Sequence, residues 1–170
     1  MRTSSPGRFT MAAISAVLAT LTAAGPVAAQ QPPGLSAFDN LAFGTWRLNL
    51  ARSRYYPGPA PRSEVRTYAG DGDSVKATIT RVLADSRKEV LEYTAGYDNP
   101  ADVTGSADID RILMKRVDAL TAESVLSHGG TVYAIARRVV SADGKTMTIT
   151  LRREGSASIR NVQSYDRLTP

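Results

Sequence analysis

From residue 43 onward, apolar and polar side chains alternate with a period of two, the spacing that sends successive residues to opposite faces of a β-strand. In the first run, 43–50, Gly44, Trp46, Leu48 and Leu50 fall on one face, and Thr45, Arg47 and Asn49 on the other. Similar runs cover 64–69, 74–83, 88–97, 111–117, 123–127, 131–141, 146–153 and 158–168, with a short one near Val103. Val75, Ala77 and Ile79 share a face of the third run, Leu91, Tyr93, Ala95 and Tyr97 a face of the fourth, and Met147, Ile149 and Leu151 a face of the eighth. Clusters of Gly, Asp, Asn and Ser separate the runs, with turn centres near residues 71, 85, 99, 119, 129, 143 and 155. Asp143-Gly144 is the strongest turn signal, because the pair suits the positive φ of a two-residue hairpin.

Beyond residue 29 no stretch repeats with the helical period of 3.6. The rhythm predicts an all-β fold, a meander of eight to ten antiparallel strands. Such a sheet buries its apolar face by stacking as a sandwich or by closing on itself, which also removes its edges. Next-neighbour hairpins without long crossovers favour the second solution, a single up-and-down β-barrel over 42–170. One connection differs from the rest. Pro57, Pro59 and Pro61 fix φ and remove backbone donors, so 51–62 is expected to be an extended loop, entered through Tyr55 and Tyr56.

Residues 1–29 have the parts of a secretory signal helix: Arg2 and Arg8, an apolar or small run over 9–24, the helix-breaking Gly25-Pro26, and Val27-Ala28-Ala29 as a cleavage site. The run is shorter than the roughly 20 residues a membrane-spanning helix needs, so cleavage after Ala29 and no stable membrane insertion are expected. That places the chain in a bacterial periplasm or medium by the general secretory route. Residues 30–41, headed by Pro32-Pro33-Gly34, read as a flexible linker. The absence of cysteine excludes disulfides, thiolate metal sites, Fe–S clusters and a cysteine nucleophile. Removing Arg2 and Arg8 from the 21 basic residues leaves 19 against 16 acidic ones, too small and scattered an excess for nucleic-acid binding.

Gly44-Thr45-Trp46 opening the first strand, followed by a meander of this length, resembles the calycin group of lipocalins and fatty-acid-binding proteins. Their barrels begin with a Gly-x-Trp strand whose tryptophan plugs the closed end. Arg160, Tyr165 and Arg167 along the last strand resemble theirs in kind. The stretch 44–50, the 53–59 loop and the Asp143-Gly144-Lys145-Thr146 hairpin are similar to a family of small exported bacterial proteins. The resemblance implies a lipocalin-like barrel with Trp46 as a structural plug beneath an arginine from a late strand. A Pro-rich loop stands where fatty-acid-binding proteins insert a helical lid, and the lipocalin Thr-Asp-Tyr signature is missing, so the resemblance implies the barrel and no particular ligand.

The expected function is binding of a small hydrophobic or amphipathic molecule, acidic ones included, in the barrel interior. The alternative is a filled barrel that engages or inhibits another protein through its loops or outer face. Arg81 follows the inner face of Ile79, and Arg116 that of Met114; alternation forces one of Arg137 and Arg138 inward, and Arg137 is taken as the candidate. A buried guanidinium needs a carboxylate, a phosphate or several carbonyls. Ligand-binding candidates are therefore Arg81, Arg116 and Arg137, with Tyr93, Gln163 and Tyr165, and with Tyr55 and Tyr56 at the mouth. An interior void would be lined by Leu48, Ile79, Tyr93, Met114, Ile135, Ile149 and Tyr165. His128, the only histidine, sits in a turn beside Gly129-Gly130 and reads as solvent-exposed. Asp98, Asp102, Asp108 and Asp110 lack EF-hand spacing and read as a solvated loop. No nucleophile elbow, phosphate loop or metal-ligand spacing is present, so neither an enzyme nor a cofactor is expected.

Overall fold

A computed structural model describes residues 41–70 and 73–169. The expected signal helix and nearly all of the expected linker lie outside the described residues. Eleven strands form one sheet: β1 Gly44–Leu48, β2 Arg54–Tyr55, β3 Ser63–Gly70, β4 Ser74–Val82, β5 Lys88–Gly96, β6 Pro100–Asp102, β7 Arg111–Arg116, β8 Thr121–His128, β9 Thr131–Val140, β10 Thr146–Arg152 and β11 Ile159–Thr169. The order is β5-β4-β3-β1-β11-β10-β9-β8-β7-β6, with β2 attached to β11. Every adjacent pair is antiparallel, and the first and last strands lie side by side, Trp46 opposite Arg167 and Leu48 opposite Tyr165. Ten strands thus curl into a nearly closed up-and-down barrel.

The remaining seam, between β5 and β6, is bridged by two hydrogen bonds between Glu92 and Thr104, at 3.1 and 3.0 Å, and by Asp98 N–H to the Met114 carbonyl at 2.8 Å. Gly105 makes that approach possible: its φ is +76°, and a Cβ there would lie 1.8 Å from the Val90 carbonyl oxygen. The β9–β10 hairpin is longer than the two-residue turn expected. Gly144 N–H bonds to the Ser141 carbonyl at 2.8 Å, and Gly144 alone in this turn has positive φ. Asp143 braces it by accepting from Ser141 Oγ and the Lys145 N–H.

The buried face is the one alternation predicts along β4, β5, β7 and β10: Val75, Ala77, Ile79, Leu91, Ala95, Ile112, Met114, Met147 and Ile149 are all core. Two positions depart from expectation. Leu50 is exposed, because β1 ends at Leu48 and Asn49 caps a short 3₁₀ turn, Leu50–Arg52, by accepting from the Arg52 N–H. Ile135 pairs with Arg152 on the outer face, while Ala134, Arg138 and Val140 are the buried residues of β9.

Candidate functional site

The strand register gives the barrel two chemically different ends. Where β1 begins, Trp46 is fully buried and its indole N–H donates to the Ala42 carbonyl at 2.8 Å. The Arg167 guanidinium lies over its ring at 4.1 Å and donates to the backbone carbonyls of Leu41, Phe43 and Gly144. Burial lowers the pKa of Arg167, and its hydrogen-bond partners are all carbonyl dipoles. Leu41, expected in the linker, is thereby part of this end of the barrel.

Beside Trp46, β3 turns Glu64, Arg66 and Tyr68 to the interior, Tyr68 opposite Gly44 and Arg66 opposite Trp46, with Glu64 farther along toward the mouth. Glu64 is 1% exposed. One of its carboxylate oxygens accepts from Arg66 Nε at 2.5 Å and from the Tyr165 hydroxyl at 2.6 Å. That hydroxyl accepts in turn from Arg66 Nε at 3.0 Å and lies 3.0 Å from the Gln163 amide oxygen; its single hydrogen can serve Glu64 or Gln163, not both at once. Burial pushes the Glu64 carboxyl up, but Arg66, the Tyr165 hydrogen bond and the more distant Arg81 outweigh it and hold the pKa below the ordinary value. Burial lowers Arg66, and Glu64 together with Tyr165 and Tyr68 raises it above its ordinary value. Tyr165 and Tyr93 are both raised, chiefly by burial, so both phenols are neutral at physiological pH.

Beside this network a cavity of about 110 Å³ opens in the barrel, lined by the apolar residues Ile79, Leu91, Ile112, Met114 and Ile149 and, interleaved with them, by Arg66, Tyr68, Arg81, Tyr93, Arg138 and Gln163. Arg81, Ile109, Leu151 and Gln163 also line a pocket of about 380 Å³ at the mouth, with Tyr55, Pro59, Pro61 and Tyr133 around it. The mouth pocket is the larger and the interior cavity the more enclosed.

The structure brings Arg81, Tyr93 and Gln163 to the cavity wall, with Tyr165 behind it in the Glu64 network. Arg81 is bound to Glu89 at 2.7 Å. Two candidates lie elsewhere. Arg137 is on the outer face, paired with Glu123 at 3.0 Å. The inward residue is Arg138, because it pairs with buried Ile149, and directly paired residues share a face; its guanidinium lies 5.1 Å from the Tyr68 ring centroid. Arg116 does follow the face of Met114, but β7 ends there at the Trp46 end, and its guanidinium stacks on Tyr97 at 4.2 Å, away from the cavity. Tyr55 reaches the mouth through the β2–β11 pairing; its buried hydroxyl lies near Gln163 without a hydrogen bond of ordinary geometry, and burial and Glu64 push its pKa up to about 12. Tyr56 is exposed on the loop. His128 is exposed and 3.8 Å from Asp110.

Sequence reasoning missed Glu64, Arg66 and Tyr68, and of the pair Arg137 and Arg138 it took Arg137 where Arg138 points inward. The period-two spacing of Glu64, Arg66 and Tyr68 was the available signal, but a strand face with two charges reads as the solvent side unless its partner strands are known. Among the described residues no group of three or more His, Asp or Glu side chains could hold a metal ion, and no helix is long and apolar enough to cross a membrane.

No protein-family model and no curated protein sequence matches the chain. Among solved structures it is similar to a protein described as a "REP1-NXSQ fatty acid transporter", with a TM-score of 0.58 and 15% sequence identity, covering 76% of this chain and 97% of that one. At that identity the likeness speaks to fold alone, and it supports a calycin-like barrel.

Proposed function

We propose that this chain is an exported binding protein for a small hydrophobic or amphipathic molecule, taken up through the mouth into the barrel interior. The observation that carries the reading is the path from a mouth pocket of about 380 Å³ to an enclosed cavity with an apolar wall and a few fixed polar groups, the combination that small-molecule sites share. The structural neighbour, described as a fatty acid transporter, points the same way. Binding would come from desolvating the apolar body against Ile79, Leu91 and Ile149, with the polar groups of the wall setting orientation. Non-catalytic action and a periplasmic or secreted location belong to the same proposal; the second rests on the signal-like features of residues 1–29. The test is native mass spectrometry of protein purified from its own periplasm. An adduct lost on delipidation and regained with a hydrophobic probe is the expected outcome. A bare mass with no uptake of any apolar or amphipathic probe overturns the proposal.

One observation favours the interaction-protein reading. The enclosed cavity, about 110 Å³, is smaller than the roughly 300–1,000 Å³ usual for small-molecule sites. If probe binding fails, affinity capture with the exposed rim residues Tyr56 and Tyr133 substituted is the experiment that distinguishes a loop-mediated protein interface.

A further inference from the structure

Among the described residues, three guanidinium groups at the open end make no ion pair. The side chains of Arg152, Arg153 and Arg160 make no ion pair and no hydrogen bond among the described residues, whereas Arg66 and Arg81 inside the barrel are each bound to a carboxylate. All three line one cleft of about 800 Å³ between the Pro-rich loop and the ends of β9 and β10, where Glu154 is the single carboxylate of the wall. Three arginines against one glutamate leave an excess of two positive charges. Tyr56 and Tyr133, 69% and 51% exposed, give the same cleft an aromatic surface.

The cleft is also the outermost part of the path already described. It shares Tyr55, Tyr133, Leu151 and Asn161 with the mouth pocket, which in turn shares Arg81, Ile109 and Gln163 with the interior. The inner pocket holds the aliphatic residues Ile79, Leu91, Ile112, Met114 and Ile149, and the outer cleft holds Arg152, Arg153 and Arg160. At Arg66 and Arg81 an anionic head placed inside would compete with Glu64 and Glu89 for guanidinium groups they already hold, and the Arg138 guanidinium lies over the Tyr68 ring. Placed outside, it would meet guanidinium groups that repel one another and whose planar forks match phosphate oxygens.

The geometry points to an amphiphile with a phosphate-type head, bound with its short apolar part inward and its head on Arg152, Arg153 and Arg160. This rests on the binding function proposed above and fixes its ligand class and orientation. Calorimetric titration of the purified protein with octyl phosphate, octyl glucoside and inorganic phosphate tests it. Octyl phosphate is expected to bind on the order of tenfold more tightly than octyl glucoside at low salt, the difference shrinking as salt is raised. In the R152Q/R153Q/R160Q variant that preference should fall to about twofold or less with octyl glucoside binding unchanged. Equal binding of the two octyl compounds overturns the head-group assignment while leaving the binding function standing, and so does a preference that survives the triple substitution. Inorganic phosphate binding as tightly as octyl phosphate overturns the tail-inward arrangement. If neither octyl compound binds, the binding function falls and the inference with it.

Discussion

Arg167 and Arg66 are both arginines inside the same barrel, and both pair with Trp46, one from β11 and one from β3, yet their guanidinium groups go to different partners. Arg167 gives its guanidinium to three backbone carbonyls and the face of Trp46; Arg66 gives its own to the Glu64 carboxylate and the phenols of Tyr165 and Tyr68. Carbonyls are held in place by the strands and turns, so the Trp46 end needs no second buried charge, and a tryptophan fills the space beneath. The Glu64 end is held by side chains that depend on one another, and a cavity lies beside them. The same residue type therefore ties down the chain around Trp46 in one case and lines a void in the other, and the difference is the nature of its partners.

Removing a partner should break that contrast most sharply at Glu64. Glu64→Ala strands Arg66 in the interior and is expected to cost about 3–5 kcal/mol in urea unfolding. The double variant E64A/R66M should recover most of that loss; no recovery would show that the carboxylate matters for something besides Arg66. At the other end Arg167→Lys keeps the charge but loses the fork that reaches three carbonyls, with an expected cost of about 1–3 kcal/mol. A cost as large as that at Glu64 would erase the distinction drawn between the ends.

Acid separates the ends as well. The folded-state pKa of Glu64 lies below its ordinary value of 4.5, so its pairing contributes fully above that pH and is lost as pH falls through the folded value. Urea midpoints measured from about pH 6 down to about pH 3 should fall more steeply for the natural chain than for Glu64→Gln. Parallel curves would mean that Glu64 does not carry the acid sensitivity. The smallest effect is expected at Tyr55, whose buried hydroxyl lacks a hydrogen bond. Tyr55→Phe should be neutral or stabilising by up to about 1 kcal/mol, and a loss of more than that would reveal a bond formed to Gln163.

The strands were readable because a half-buried strand must alternate, and nearly every run in the sequence matches a strand within two residues. The site was only partly readable. Arg81, Tyr93 and Gln163 continue apolar faces and could be placed by counting. Arg137 and Arg138 could not, since adjacent residues always present one candidate to each side, and the choice came from Arg138 pairing with Ile149. Arg116 shows a second limit: alternation names the face of a residue but not its height along the barrel axis, and at the end of β7 it meets Tyr97 rather than the cavity.

The chain by itself determined where the strands lie, which face of most of them is apolar, and that its single tryptophan is committed to the first strand. Those properties are local: they follow from period two and from turn residues close together in sequence. Only the tertiary structure decided that β1 lies against β11, which sets Arg167 over Trp46 and Tyr165 against Glu64, residues 121 and 101 positions apart. It also decided that two acidic side chains would pair with the interior arginines Arg66 and Arg81 and that three arginines at the mouth would have no ion-pair partner among the described residues. Charge pairing across a closed barrel depends on which distant strands become neighbours, and that is a property of closure, not of any stretch of sequence.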